Sequence, residues 1–405
     1  MTRNVLVAQS GGPTAVINSS VAGIVTEAKG NEKVDEIYGA INGILGVLNE
    51  DLVDFGLEDP AAIQQLRHTP SAALGSCRYK LGDRDYARLL EALAAHNVRY
   101  FLCAGGNDSM DTAHKLARLA SAKGLELQVI GVPKTVDNDL MVTDHCPGYG
   151  SVARFNATAT RDSGLDTEAI YTSDTIKIIE TMGRDTGWIT ASTALGRDGE
   201  DSAPHLIYLP ERPLIAESFL NDVKDVYNRL GKAVICVCEG LRNEKGEFLK
   251  ASSKDLDTDK FGHAQLGGVG EYLANLIAKH LKIKARCDKP GTIQRVSMAC
   301  ASQVDLTEAY EVGRVAFSKA VNGETDKMVT IMRKREDPYE SDYGLVELQE
   351  VALRTKKFPD TFINKQSNFV SDSFLKYATP LIGGPLQEYA HLRKERVKKQ
   401  LPQYV

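Results

Sequence analysis

One recurrence constrains this chain more than any other: a short apolar run, a glycine-bearing turn, then a stretch with helical periodicity. Val5-Leu6-Val7-Ala8 passes through Gln9-Ser10-Gly11-Gly12-Pro13-Thr14 into a helix predicted from about Ala15 to Lys29. Tyr100 to Ala104 passes through Gly105-Gly106-Asn107-Asp108-Ser109 into a second, through about Lys123. Thr175 to Glu180 ends at Thr181-Met182-Gly183-Arg184, with Asp185 and Thr186 opening a helix, and Ala233 to Val237 leads into Cys238-Glu239-Gly240. Strands alternating with helices argue for parallel sheet. With 405 residues, 42% of them apolar, the chain exceeds one ordinary core, so two α/β lobes are expected.

The chemistry is expected in Gly131-Val132-Pro133-Lys134-Thr135-Val136-Asp137-Asn138-Asp139, which follows the apolar run Leu125 to Ile130. Reacting groups in open α/β sheets collect beyond the carboxyl ends of strands, and this loop supplies a cation, a hydroxyl and two carboxylates together. A carboxylate there can take a proton from a sugar hydroxyl while the lysine holds an anion. The loop by itself is equally well an Asx-rich turn.

The turns after Val5-Ala8 and Tyr100-Ala104 are phosphate cradles in outline, since glycines admit an anion to backbone amides and a helix N-terminus adds positive potential. The first of them fits neither GxxxxGK[ST] nor GxGxxG, and a plain tight turn remains possible there. Asp108 sits where its helix begins, a place where an N-capping Asp is worth about 1 kcal/mol without any substrate. Gly75-Ser76-Cys77-Arg78-Tyr79-Lys80 reads as a cationic loop and Gly43 to Leu48 as an apolar turn. Further expectations are a helix over Asp83–His96, a helix over Tyr149–Arg161, loop and strand character around Arg286 and Gly291–Arg295, and a peripheral helical remainder ending in the basic run Arg393–Lys399. Residues 243–262 read as a charged surface excursion.

A formal charge of -5 argues against a nucleic-acid surface. No run approaches the roughly 18 apolar residues of a membrane span, and the N-terminus enters a strand with no signal-peptide pattern, so a soluble cytoplasmic protein is expected. The seven cysteines are scattered; Cys236 and Cys238 read as buried reduced thiols on one strand face.

In Ser10-Gly11-Gly12, Gly75-Ser76-Cys77-Arg78, Gly105 to Ser109, Pro133 to Asp139, Met182-Gly183-Arg184, Glu239-Gly240 and Ile293-Gln294-Arg295, the chain resembles the phosphofructokinases, within them the pyrophosphate-dependent branch. The resemblance implies two Rossmann-like lobes with mainly parallel sheets and the active site in the cleft between them. It divides the chain into a phosphoryl-donor lobe, 1–148 with roughly 294–355, and a sugar-phosphate lobe, 149–293 with roughly 356–405. It implies Asp137 as the base for the 1-hydroxyl of fructose 6-phosphate, assisted by Lys134, Asp108 and Arg184. Gly12, Arg78, Asp108 and Lys134 would meet the donor. Thr135, Val136, Asp137, Met182, Gly183, Arg184, Glu239, Thr292 and Arg295 would line the sugar-phosphate site, with Arg286 reaching it from a neighbouring subunit of a homodimer or homotetramer. Mg2+ is the implied cofactor.

Two positions bear on the donor. ATP-using relatives carry glycine where Asp108 and Lys134 stand; the carboxylate would repel the α-phosphate of ATP, and the ammonium would meet the charge of a small inorganic donor. Ile44 replaces an aromatic near adenine. Pyrophosphate is therefore the expected donor, with reversible formation of fructose 1,6-bisphosphate and phosphate in glycolysis or gluconeogenesis. Departures from the pattern are Asn107 for the usual magnesium aspartate, with Asp139 or Asp137 able to help, Thr292 for a histidine, and Thr175 for an interface arginine with Lys177 as a possible substitute. These loosen the sugar choice toward sedoheptulose 7-phosphate. Ala22 and Thr26 stand in place of effector-binding arginines, so no nucleotide activation is expected. The rivals are an ATP-dependent 6-phosphofructokinase, a sugar-phosphate-binding module without turnover, and a nicotinamide dehydrogenase, the last disfavoured by the missing GxGxxG.

Overall fold

The computed structural model describes residues 3–170, 173–249, 266–390 and 392–401. Among the described residues, eleven strands form two sheets. The larger takes β1 (Arg3–Gln9), β2 (Val34–Ala40), β3 (Leu52–Asp54), β4 (Val98–Gly105) and β5 (Gln128–Pro133). The smaller takes β6 (Ile176–Thr181), β7 (Leu206–Tyr208), β8 (Ala233–Cys238) and β9 (Ala285–Asp288) before the chain returns to the larger with β10 (Lys327–Glu336) and β11 (Tyr339–Glu347). The spatial orders are β11-β10-β5-β4-β1-β2-β3 and β7-β8-β6-β9. All pairings in the smaller sheet are parallel, and in the larger only β2·β3 and β10·β11 are antiparallel.

Side-chain alternation places a core on each face of each sheet. Val5, Val7, Tyr100, Leu102, Ile130 and Val132 face the helices Ile17–Ala28 and Gln303–Val321, while Leu6, Phe101, Cys103 and Val129 face Asp83–Ala95 and Asn107–Ala122. In the smaller sheet Ile179, Val234 and Cys236 meet the helix Tyr149–Ala169, and Ile178, Ile235 and Val237 meet Ala216–Leu230 and Val269–Leu281. Strands covered on both faces explain why the sequence shows continuous apolar runs. Cys236 and Cys238 are buried and free, but Cys238, at the strand end, packs into the opposite core from Cys236.

Strand order sets where a ligand can sit. From β1 the chain moves to β2 on one side, then to β4 on the other, so the sheet has its switch point between β1 and β4 and the following turns diverge to open a crevice. The turns carrying Gly12 and Asn107 flank that point.

Several local expectations are corrected. Gly43 to Leu48 is no turn: Ile44–Asn49 is a short helix, entered from Gly43 at a φ of 62°. β5 starts at Gln128 and keeps Gly131, Val132 and Pro133 within the strand. The helix after β4 is capped by Gly106, so Asp108 lies in its first turn and does not cap it. The next helix after β6 begins at Trp188, beyond Asp185 and Thr186. Gly291–Arg295 is a 3-10 turn, with strand structure confined to Ala285–Asp288. The excursion at 243–262 lies partly outside the described residues.

The remainder after β10 is not peripheral. β11 extends the larger sheet, and Phe358, Phe362 and Tyr377 pack around Trp188 at ring-centroid distances of 4.8, 6.0 and 5.5 Å. These aromatics lack helical or strand periodicity, so nothing local marks them as core. The basic run Arg393–Lys399 is exposed as expected but without regular structure.

Candidate active site

Residues that follow strands of both sheets line one cavity of about 400 Å³. Ser10, Gly11 and Gly12 come from the turn after β1, Gly106 to Ser109 from the helix start after β4, and Lys134 to Asp137 with Asp139 from the loop after β5. Met182, Arg184, Asp185 and Thr186 follow β6, Glu239 follows β8, and Arg78 and Arg295 enter from a loop and the 3-10 turn.

Lys134 is the most buried cation of the group, 3% exposed, and its Nζ donates to the Gly12 carbonyl at 2.9 Å. The turn after β1 must be thin here: a Cβ on Gly12 would lie 2.9 Å from Arg295 Nη1. Burial, with the Arg295 charge, lowers the Lys134 ammonium from 10.5 to about 8. Burial, with the charges of Asp139 and Glu239, raises the Asp137 carboxyl to about 7, although Arg184 and Lys134 pull the other way. Burial raises Asp139 and Glu239 as well. A carboxylate poised near neutrality beside cations has the properties of a general base.

The backbone holding Asp137 is tied down on both sides. Its own N–H donates to Thr135 Oγ1 at 3.1 Å, and its carbonyl accepts from Thr186 Oγ1 at 3.3 Å. Next to it, Asn138 adopts a φ of 53° with its side chain donating to the Tyr377 hydroxyl and accepting from the Cys146 amide. Asn107 Nδ2 donates to Asp139 Oδ2 at 3.1 Å, joining the turn after β4 to the loop after β5.

On the second sheet, Gly183 takes a φ of 134°, conformational space that glycine enters without penalty. Its amide points at Glu239 Oε1, 3.4 Å away. Gln294 was assigned no role in the sequence, yet it is 2% exposed and its Oε1 accepts from Met182 N and Asn156 Nδ2. It thereby locks the turn carrying Arg295 to the turn carrying Arg184. Arg184 Nε, Arg295 Nε and Asn107 Oδ1 are buried without a hydrogen-bond partner among the described residues. Polar atoms left so on three cavity-lining residues are suited to an anionic, metal-bearing ligand.

Three expected residues stand outside the lining. Gly183 acts through its amide. Arg286, on β9, is exposed and pairs with Asp174 at 2.6 Å. Thr292 is exposed on the 3-10 turn. Lys177 is no stand-in for an interface arginine, because it is buried and held by Asp166 and Asp288 at 2.6 and 3.2 Å. Conversely, Leu353 and Thr355 line the cavity from a segment that showed no motif.

Glycine turns at strand ends, converging cations and a carboxylate raised toward neutrality suit phosphoryl transfer, where positioning and charge stabilisation supply most of the catalysis. The chain belongs to the phosphofructokinase family, whose profile, Phosphofructokinase, matches residues 4–318. It is 42% identical to a pyrophosphate--fructose 6-phosphate 1-phosphotransferase of Xanthomonas campestris, with 98% of each chain covered. It is 40% identical to the enzyme of that name from Halomonas elongata, with 99% of each covered. Among solved structures, a pyrophosphate-dependent phosphofructokinase from Marinobacter aquaeolei is 38% identical, covers 99% of this chain and 98% of its own, and superposes with a TM-score of 0.86. Leu353 and Thr355 lie beyond the family-matched stretch.

Proposed function

We propose that this chain reversibly transfers a phosphoryl group from inorganic pyrophosphate to the 1-hydroxyl of fructose 6-phosphate, releasing orthophosphate and fructose 1,6-bisphosphate. The observation that carries the donor assignment is the placement of Asp108 and Lys134 in one cavity, the ammonium fixed against Gly12. A carboxylate beside the phosphate path opposes a nucleotide's extra phosphate, while the buried ammonium suits a compact, highly charged donor.

In this reading Asp137 accepts the 1-hydroxyl proton as that oxygen attacks one phosphorus of pyrophosphate, and the bridging P–O bond breaks toward orthophosphate. Lys134 and Arg78 hold the donor. Arg184, Glu239, Arg295, Met182, Thr135 and Val136 shape the acceptor side. Under a division into lobes at 1–148 with 294–355 and 149–293 with 356–405, Lys134, Arg78, Thr135, Val136 and Arg295 belong to the donor lobe, and Met182, Arg184 and Glu239 to the sugar-phosphate lobe. Arg286 and Thr292, outside the lining, would serve a sugar site completed by a second copy in a homodimer or homotetramer.

Asn107 Oδ1 and the carboxylates of Asp139 and Asp137 are oxygen donors of the type magnesium takes, and the unpartnered Asn107 Oδ1 suits such a role. Bound there, Mg2+ would neutralise phosphate charge. No helix of the described residues is long and apolar enough to cross a membrane, and the free cysteines suit a reducing compartment, so we place the reaction in the cytoplasm.

Purified protein given fructose 6-phosphate, Mg2+ and either pyrophosphate or ATP tests the reading. Formation of fructose 1,6-bisphosphate with pyrophosphate is the expected outcome. Faster turnover with ATP makes it an ATP-dependent enzyme, and sugar-phosphate binding without product makes it a binding module.

A further inference from the structure

Part of the cavity lining comes from a segment that follows β11 and contains none of the glycine turns. Leu353 and Thr355 contribute to the lining, and Lys356 anchors them. The Lys356 backbone N–H donates to the Asp139 carbonyl at 2.7 Å, and its own carbonyl accepts from Trp188 Nε1 at 3.4 Å. Its ammonium donates to the carbonyls of Thr143 and Asp144 at 3.1 and 2.9 Å. That charge is committed to backbone oxygens, so Lys356 acts on geometry and does not contact the reacting atoms.

The anchor leads to the donor end by a short path. Asp139 accepts from Asn107, and Asn107 opens the helix whose first turn presents Asp108. Leu353 is held at a φ of 58° and is 68% exposed, an apolar side chain at the rim of a cavity lined largely by charged and polar groups. A bulky residue in the left-handed region is strained, and such conformations persist where surrounding structure imposes them.

We propose that Leu353 to Lys356 form a strap that sets the size of the phosphoryl donor, with Leu353 and Thr355 as its specificity-determining wall and Lys356 as its positioning residue. The strap limits the space beside Asp108 to an inorganic diphosphate; in naming that ligand the proposal rests on the pyrophosphate reading above.

Calorimetric titration with imidodiphosphate, inorganic tripolyphosphate and fructose 6-phosphate tests this on the wild type, Leu353→Gly, Lys356→Met and Lys356→Arg. Steady-state KM values for pyrophosphate and fructose 6-phosphate accompany the titrations. Loosening an outer support weakens binding by about tenfold or more, so Leu353→Gly and Lys356→Met should raise the imidodiphosphate Kd by that factor and leave the fructose 6-phosphate Kd within about twofold. Both should also narrow the preference for diphosphate over tripolyphosphate, and Lys356→Arg should return toward wild type. Parallel weakening of both substrates, or an unchanged diphosphate preference, overturns the strap. Leu353 is exposed, so its variant keeps the proposal decidable if Lys356→Met does not fold. A wild type that turns over ATP faster than pyrophosphate refutes the donor assignment instead, and the ratios of variant to wild type still decide the strap.

Discussion

The Lys134 ammonium reaches across the end of β4 to donate to the Gly12 carbonyl at 2.9 Å, tying the loop after β5 to the turn after β1. One of its three protons is thereby fixed, and two remain for a ligand in the cavity. The bond places the cation at the switch point of the larger sheet, where diverging turns leave room for phosphate.

Removing that cation should cost transfer far more than acceptor binding. Lys134→Met is expected to lower kcat/KM for pyrophosphate by about 10²- to 10³-fold, the scale of losing one preorganised charge-stabilising group. The fructose 6-phosphate Kd should stay within a few-fold. Steady-state kinetics with calorimetry checks both, and an equal loss for both substrates would assign Lys134 to the fold.

The pH profile follows from two opposed groups. Asp137 must be deprotonated to accept a proton, so the rate should rise through about 7. Lys134 must be protonated to hold an anion, so the rate should fall through about 8. A narrow optimum between the two limbs is expected in kcat/KM for pyrophosphate. Arginine stays charged throughout this range, so Lys134→Arg should lose the alkaline limb even if its rate is lower. Persistence of that limb in the variant would place its origin elsewhere.

Asp137→Ala should abolish transfer and preserve the fold, because the backbone around it is held by Thr135 and Thr186 and not by its carboxylate. Loss of a general base costs about 10²- to 10⁴-fold. Product assays under single-turnover conditions, beside a circular dichroism spectrum, measure the two effects. Unchanged turnover would move the base to another carboxylate, Asp139 being adjacent.

Asp108→Gly should admit some ATP. Asp108 is exposed at the first turn of its helix, where an anionic side chain occupies the favourable potential that a phosphate would use. Its removal frees that potential, but Lys134 remains and should limit the gain. Measurable ATP turnover in the variant, against little in the wild type, is the expected result; none in either would separate donor choice from this carboxylate.

What could be read from the sequence was local. Gly12, Asn107, Asp137 and Arg184 each lie within a few residues of an apolar run, and a strand-turn-helix pattern marks its own functional end. Contacts made between distant segments could not be read so. Gln294 looked like a polar turn residue, and only the approach of β6 makes it a buried lock for Met182. Leu353 joins the site because the chain comes back along β10 and β11, and β11 itself was hidden by its mixed exposure as an edge strand. The helix at Ile44–Asn49 was missed because it is short and carries no capping side chain.

Following the loop after β5, His145 is 1% exposed between Glu308 Oε2 at 2.6 Å and Asp144 Oδ2 at 2.9 Å. Arg333 also pairs with Asp144, and Tyr339 donates to Glu308, so the network joins β10, β11 and the helix Gln303–Val321 to the loop after β5. Burial by itself would push the imidazole down, but Glu308 and Asp144 together raise it from 6.5 to about 9. A raised histidine contributes stability that is fully present below its unfolded value of 6.5 and is lost as pH rises through about 9. His145→Gln should therefore destabilise by about 3–5 kcal/mol at low pH, since it leaves Glu308 buried without its cation. The gap to wild type should shrink above 6.5 and largely close beyond about 9. Urea unfolding followed by the fluorescence of Trp188, the only tryptophan, reads this directly. A stability difference that stays constant across that range would mean that His145 is neutral in the fold and that packing, not charge, holds the loop.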